Sequence, residues 1–250
     1  MRAMTDRIAG PAGRPIPVPV PVRCTPVAHR GDPYVHRENT LPSVRSALRA
    51  GAGAVEVDVR PARDGVPVLL HDATLRRLWG VDRALTSLTA DEVREATGGG
   101  VPTLREALAE VTAAGPAGGA RLFVDLPDPA VVPAAVEEVA AGGARGHVYY
   151  CGGPAAMLAV RRADPDAEIA LTWTTLAPPR PALLAAVRPH WLNYRFGLVT
   201  PELVARDHAA GLKVSAWTAD TRRTMRRLLT AGVDAITTNR IGALRALLPA

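Results

Sequence analysis

Along most of the chain, short β-rich runs alternate with helical runs of Ala, Leu and Arg, and no other feature constrains the fold as much. Strands are expected at 27–29, 54–59, 122–126, 147–151, 169–173, 191–195, 214–217 and 235–238. Helices are expected near 41–51, 103–114, 130–141, 154–163, 181–187, 201–210, 220–231 and 241–248. Strands separated by helices pair in parallel, and eight such units predict a closed (β/α)8 TIM barrel. A chain of 250 residues can hold this as one unit. The expected organisation is a proline-rich N-terminal arm over 1–24 and a barrel domain over 25–250. Residues 10–23 read GPAGRPIPVPVPVR, and alternating Pro and Val favour an extended, polyproline-like arm.

One run does not fit the alternation. Residues 66–71 are strand-like, yet only residues 60–65 separate them from the second strand. A parallel crossover needs a dozen or more residues. The two runs therefore predict an antiparallel hairpin turning at Asp64-Gly65, an extra arm after the second strand. This arm would bring His71 back to the barrel mouth. Residues 73–102 read as irregular. Thr40 before Leu41-Pro42, and Thr103 with Glu106, carry helix-start signals. Gly51 and Gly232 fit helix ends, and 98–100 and 115–119 read as loops.

Composition removes several function classes. The chain has 29 arginines and one lysine, Lys213, so a Schiff-base barrel enzyme is a poor fit. The net charge of +6 comes without a dense basic block interleaved with aromatics, which argues against nucleic acid binding. No run of 18 apolar residues is present, so stable membrane insertion is not expected. The N-terminus lacks a continuous apolar signal-type core, and a cytoplasmic location is the default expectation. Cys24 and Cys151 are isolated thiols, expected to pack as small hydrophobes. Aromatics make up only 4%, which predicts a core of Ala, Val and Leu. Oligomeric state is not legible.

The chemistry-bearing residues cluster at strand ends. Glu56 and Asp58 are two apart on one strand and so share a face. If Val55 and Val57 face the helices, both carboxylates point into the barrel. Two buried carboxylates need compensation, either from arginines or from a hard cation such as Mg2+ or Ca2+. Asp125, at the end of a neighbouring strand, is the candidate third oxygen ligand. His29 and His71 form a candidate acid–base pair, since imidazole titrates in the range both proton transfers need. Alone, each would read as a satisfied structural histidine. Arg30 can hold a phosphate oxygen with its planar fork or pair with Glu38, and the two are compatible. A base, an acid, a fixed positive charge and a hard-metal site are what cleavage of a phosphate ester requires.

Four motifs stand in order: His29-Arg30-Gly31, Glu38-Asn39-Thr40, Glu56-Val57-Asp58 and His71-Asp72. In these the chain resembles the glycerophosphodiester phosphodiesterases, a family of barrels in the PLC-like phosphodiesterase superfamily. The resemblance runs over roughly residues 25–248. It implies a metal-dependent phosphodiesterase with His29 and His71 as catalytic groups and Arg30 on the phosphate. Glu56, Asp58 and Asp125 would hold Mg2+ or Ca2+. It also implies a small-molecule substrate, a glycerophosphodiester cleaved to glycerol 3-phosphate and an alcohol. Trp217, in Ala216-Trp217-Thr218, would wall the pocket beside that alcohol or pack in the core. The chain departs from the family pattern at four positions. Asp125 replaces the usual Glu, Pro127 replaces a phosphate-binding lysine, Arg37 replaces a proline, and Asn239 replaces an Asp. Arg195, at a strand end, is a candidate for the missing charge. Two other readings remain: a phospholipase D-like relative forming a cyclic phosphate, and a degenerate barrel that binds phosphodiesters without turnover.

Overall fold

A computed structural model describes residues 24–113 and 119–249. The expected arm over 1–23 and most of the 115–119 loop lie outside the described residues. The first strands are β1 (Thr25–His29), β2 (Ala54–Pro61) and β3 (Pro67–Leu69), followed by β4 (Arg121–Asp125) and β5 (Val148–Gly152). The rest are β6 (Ile169–Trp173), β7 (Trp191–Arg195), β8 (Lys213–Trp217) and β9 (Ala235–Thr238). Eight of them close a parallel ring in the order β1-β2-β4-β5-β6-β7-β8-β9, with β9 returning to β1. β3 lies outside the ring, antiparallel to β2, as the short 60–65 connection requires.

Strand alternation sorts the side chains. Val55, Val57 and Val59 of β2 face the helices and join the main core, while Glu56 and Asp58 are buried inside the barrel. The layer between strands and helices is built from Val, Ala and Leu, as composition predicts. The barrel floor is different. Phe123 and Tyr149 stack at 4.3 Å between centroids, and Tyr149 lies 6.0 Å from Trp191. Three of the ten aromatics thus fill the barrel interior beneath the mouth, with Phe123 also lining the cavity above.

Helices α1 (Leu41–Arg49), α2 (Arg76–Trp79), α3 (Ala90–Ala96) and α4 (Leu104–Ala113) occupy the first half. The second half holds α5 (Val132–Ala141), α6 (Pro154–Ala163), α7 (Pro181–Val187), α8 (Pro201–Ala209), α9 (Arg222–Ala231) and α10 (Ile241–Arg245). Thr40 caps α1 by accepting from Ser43 N, and Thr103 and Glu106 exchange bonds at the start of α4. Gly51 and Gly232 take the left-handed conformation at φ 81° and 86°. The 73–102 segment is more ordered than expected. It forms α2, a 3-10 turn at Leu85–Ser87 and α3, around a separate cluster of Leu70, Leu75, Leu85 and Val93. Its elements are too short to show a clear period in sequence; they hold because Val68 and Leu70 of the hairpin arm supply the other half of that cluster.

Candidate active site

All eight ring strands point their C-terminal ends at one mouth, the rim where α/β barrels carry their sites. A cavity of roughly 200 Å³ opens there, lined among others by His29, Arg30, Glu56, Asp58, His71, Asp125 and Trp217.

The β1–α1 loop is shaped first by backbone geometry. Arg30 and Gly31 both adopt positive φ, 57° and 88°. Ser43 stabilises this turn, donating to Arg30 O at 3.1 Å and accepting from Asp32 N at 2.7 Å. A Cβ on Gly31 would lie 2.2 Å from Ser43 Oγ, so only glycine fits. The turn aims Arg30 N at Glu56 Oε2, 2.9 Å away. Asn39, also left-handed at φ 55°, donates to Asp58 Oδ2 at 2.7 Å and accepts from Asp58 N at 3.1 Å. The Glu38-Asn39-Thr40 motif thus holds one carboxylate of the cluster, as well as starting α1.

His29 is oriented by a chain of polar groups. Its Nδ1 lies 2.8 Å from Asn239 Oδ1, and Asn239 Nδ2 donates to Asp220 Oδ2 at 2.8 Å. Asp220 can only accept, which fixes the Asn239 amide with its oxygen toward His29. His29 therefore carries its proton on Nδ1, and Nε2 is free, 3.9 Å from Glu56 Oε2. Burial, then the Arg30 charge, holds the His29 imidazole below its usual pKa.

His71 arrives on the hairpin arm. β3 ends at Leu69, shorter than expected, and Arg60 Nε fixes the final turn by donating to His71 O at 2.7 Å. His71 Nδ1 lies 2.8 Å from Asp72 Oδ1. Asp72 is held below the usual carboxylate range by its bond from Arg77 and, against burial, by His71. Arg77 also reaches Glu38 Oε1 at 2.6 Å, and Arg30 Nη1 donates to the same oxygen at 2.9 Å. Arg30 Nε lies 3.1 Å from Asp58 Oδ2, too poorly aligned for a hydrogen bond. A continuous ionic network therefore ties the His71 arm to the carboxylates. Arg77 and Asp220 have no signal in the sequence, because their partners are distant in the chain.

Oxygens of Glu56, Asp58 and Asp125 all lie within 4.8 Å of one another. Asp58 and Asp125 are register partners on β2 and β4, so the shorter Asp125 side chain still reaches the group. Burial, then Asp58 and Asp125, pushes the Glu56 carboxyl well above its usual range. Burial, then Asp58, pushes Asp125 up to about 6. Crowded acids with one nearby guanidinium are short of positive charge, and an all-oxygen donor set fits a hard divalent cation. Cys151 is buried, yet it also lines this cavity, with Sγ 3.4 Å from Asp125 Oδ1. Cys24 packs in the main core as expected.

The other expected site residues are placed unevenly. Trp217 lines the cavity, and its buried Nε1 has no partner among the described residues. Arg195 is the register partner of Trp217 but is exposed at the rim, outside the cavity lining, because β7 ends there and its side chain runs into solvent. Pro127 is exposed and brings no charge. Lys213 sits at the opposite end of its strand, over Trp191 at 4.8 Å. Arg30 is the only cationic Arg or Lys lining the cavity among the described residues.

Fold and site define a class: a (β/α)8 barrel with a three-carboxylate, two-histidine centre at its C-terminal mouth. Residues 29–243 match the model of the glycerophosphoryl diester phosphodiesterase family. The chain belongs to that family. Glycerophosphodiester phosphodiesterase 1 of Bos taurus is 37% identical over 100 residues, covering 35% of this chain and 30% of that protein. A crystal structure from Silicibacter pomeroyi DSS-3 superposes with a TM-score of 0.82 at 25% identity, covering 91% of this chain and 94% of that one. An Oleispira antarctica phosphodiesterase, solved with the product sn-glycerol-3-phosphate, superposes at 0.76 with 24% identity, covering 89% and 95%. Among the described residues no helix is long and apolar enough to cross a membrane.

Proposed function

We propose that the protein hydrolyses glycerophosphodiesters to glycerol 3-phosphate and an alcohol, with a divalent cation held by Glu56, Asp58 and Asp125. The observation that carries this reading is the convergence of three carboxylates, Arg30 and both histidines on one cavity. The glycerol 3-phosphate in the Oleispira structure supports the product class. A divalent cation bound there supplies positive charge to the phosphoryl oxygens.

The side chains divide the proton work by their partners. His29 faces a neutral amide, is partly buried and has a lowered pKa, all of which favour unprotonated Nε2. It acts as the base toward the attacking oxygen, either water directly or a neighbouring substrate hydroxyl, in which case the alcohol leaves a cyclic phosphate that water then opens to glycerol 3-phosphate. His71 is held through Nδ1 by the Asp72 carboxylate and lines the cavity, so it takes the other proton transfer and protonates the leaving alkoxide from Nε2. Arg30 contributes its remaining Nη2 to a non-bridging oxygen, in place of the lysine lost at Pro127. Trp217 walls the alcohol side.

The test is a panel of glycerophosphocholine, glycerophosphoethanolamine and glycerophosphoinositol with Mg2+ or Ca2+, reading glycerol 3-phosphate release. His29→Ala and His71→Ala are each expected to lower kcat by about 10²–10⁴-fold while keeping the melting temperature. A wild type that binds these compounds without turnover, or histidine variants as active as wild type, would overturn the reading.

A further inference from the structure

The large apolar side chains most exposed among the described residues are Tyr34, Val35, Leu176 and Phe196, at 64%, 63%, 66% and 38%. All four lie on loops at the barrel mouth, following β1, β6 and β7. In the ring, β1, β9, β8, β7 and β6 are successive neighbours, so these loops belong to one continuous arc of the rim. The rest of the arc is basic. Arg240 follows β9 and sits over the Tyr34 ring at 4.9 Å. Arg222 and Arg223 open α9 after β8, Arg195 ends β7, and Arg180 precedes α7; all are exposed. Among the described residues, none of these five is ion-paired, whereas Arg45, Arg94, Arg105 and Arg121 elsewhere each grip a carboxylate. Glu202 is the arc's only exposed acid among the described residues. The Phe196 loop is held in place, because Arg227 donates to Phe196 O at 2.6 Å and Val199 O at 2.7 Å.

Apolar tips separated by unpaired arginines form no contiguous dry patch of the kind that marks a protein interface. They do match a fluid anionic surface, where each tip enters the headgroup boundary and each guanidinium meets a phosphate. We propose that the β1–β9–β8–β7–β6 arc of the mouth docks onto an anionic lipid surface. The cavity then faces that surface, and amphiphilic phosphodiesters reach it from the lipid side.

The test is vesicle flotation, which needs no turnover. The protein binds phosphatidylcholine vesicles containing phosphatidylglycerol, binds pure phosphatidylcholine far less, and is released as salt rises. The double variant Leu176→Glu/Phe196→Glu keeps the melting temperature but lowers the partition coefficient about tenfold or more, because both tips lose their apolar burial. Three results would overturn the proposal. One is no binding to the anionic vesicles at low salt, and another is undiminished binding by the double variant. The third is a lipid-independent dimer that the double variant abolishes, which would make the arc an interface between copies.

Discussion

Adding Mg2+ or Ca2+ to the metal-free protein is expected to raise its melting temperature strongly at about pH 7.5 and weakly at about pH 5. The reason lies in the three crowded carboxylates. Asp125 is pushed from 3.8 up to about 6 by burial and by Asp58. Between those values the folded protein keeps a proton that the unfolded chain releases. Stability from this group is therefore fully present below 3.8 and is lost as pH rises through about 6. At about 1.36 kcal/mol per pH unit the loss is on the order of 3 kcal/mol, and Glu56 moves in the same direction. A divalent cation compensates the ionised cluster, so it restores at neutral pH what ionisation removes. At a concentration near 100 times Kd, linkage stabilises by about 2.7 kcal/mol. For a domain of this size that is roughly 5–10 °C. Near pH 5 protons compete for the same oxygens, and the shift should fall to a few degrees at most. Scanning calorimetry with and without metal at both pH values measures it. Equal shifts at the two pH values would refute the reasoning, as would an undiminished shift in Glu56→Gln/Asp58→Asn.

Arg77→Ala should change the melting temperature little, because half-exposed ion pairs contribute about 0–1 kcal/mol. It should still lower turnover, since Arg77 links the His71 arm to Glu38; unchanged kcat would exclude that positioning role. Gly31→Ala combines positive φ with a clash on Ser43 and should cost about 2 kcal/mol or more in denaturant unfolding. Asn239→Asp puts a carboxylate on His29 Nδ1, raises the imidazole pKa and should move the acid limb of the pH–rate profile to higher pH. An unmoved limb would mean that Asn239 does not tune the base.

The ring was legible because each βα unit carries its own local signal. Strands 169–173, 191–195 and 235–238 appear with the expected bounds, and the short 60–65 link required the antiparallel arm. The 73–102 segment was not legible, since its short helices hold only against the hairpin arm. Nor was the aromatic floor, which gathers Phe123, Tyr149 and Trp191 from three strands.

By itself the sequence determined which chemical groups exist and which strand carries or precedes each: His29 and Arg30, Glu56 and Asp58, His71, and Asp125. Period-two alternation and the rule that parallel strands share one mouth carry that much. Tertiary structure decided how those groups are held. Asn239 and Asp220 fix the His29 tautomer from across a closed ring. Arg77 joins His71 to Arg30 through Glu38. Arg195, a strand-end charge by sequence, stays at the rim. Each of these depends on where ring closure and the hairpin arm bring distant residues, and no local pattern encodes a distance between side chains far apart in the chain.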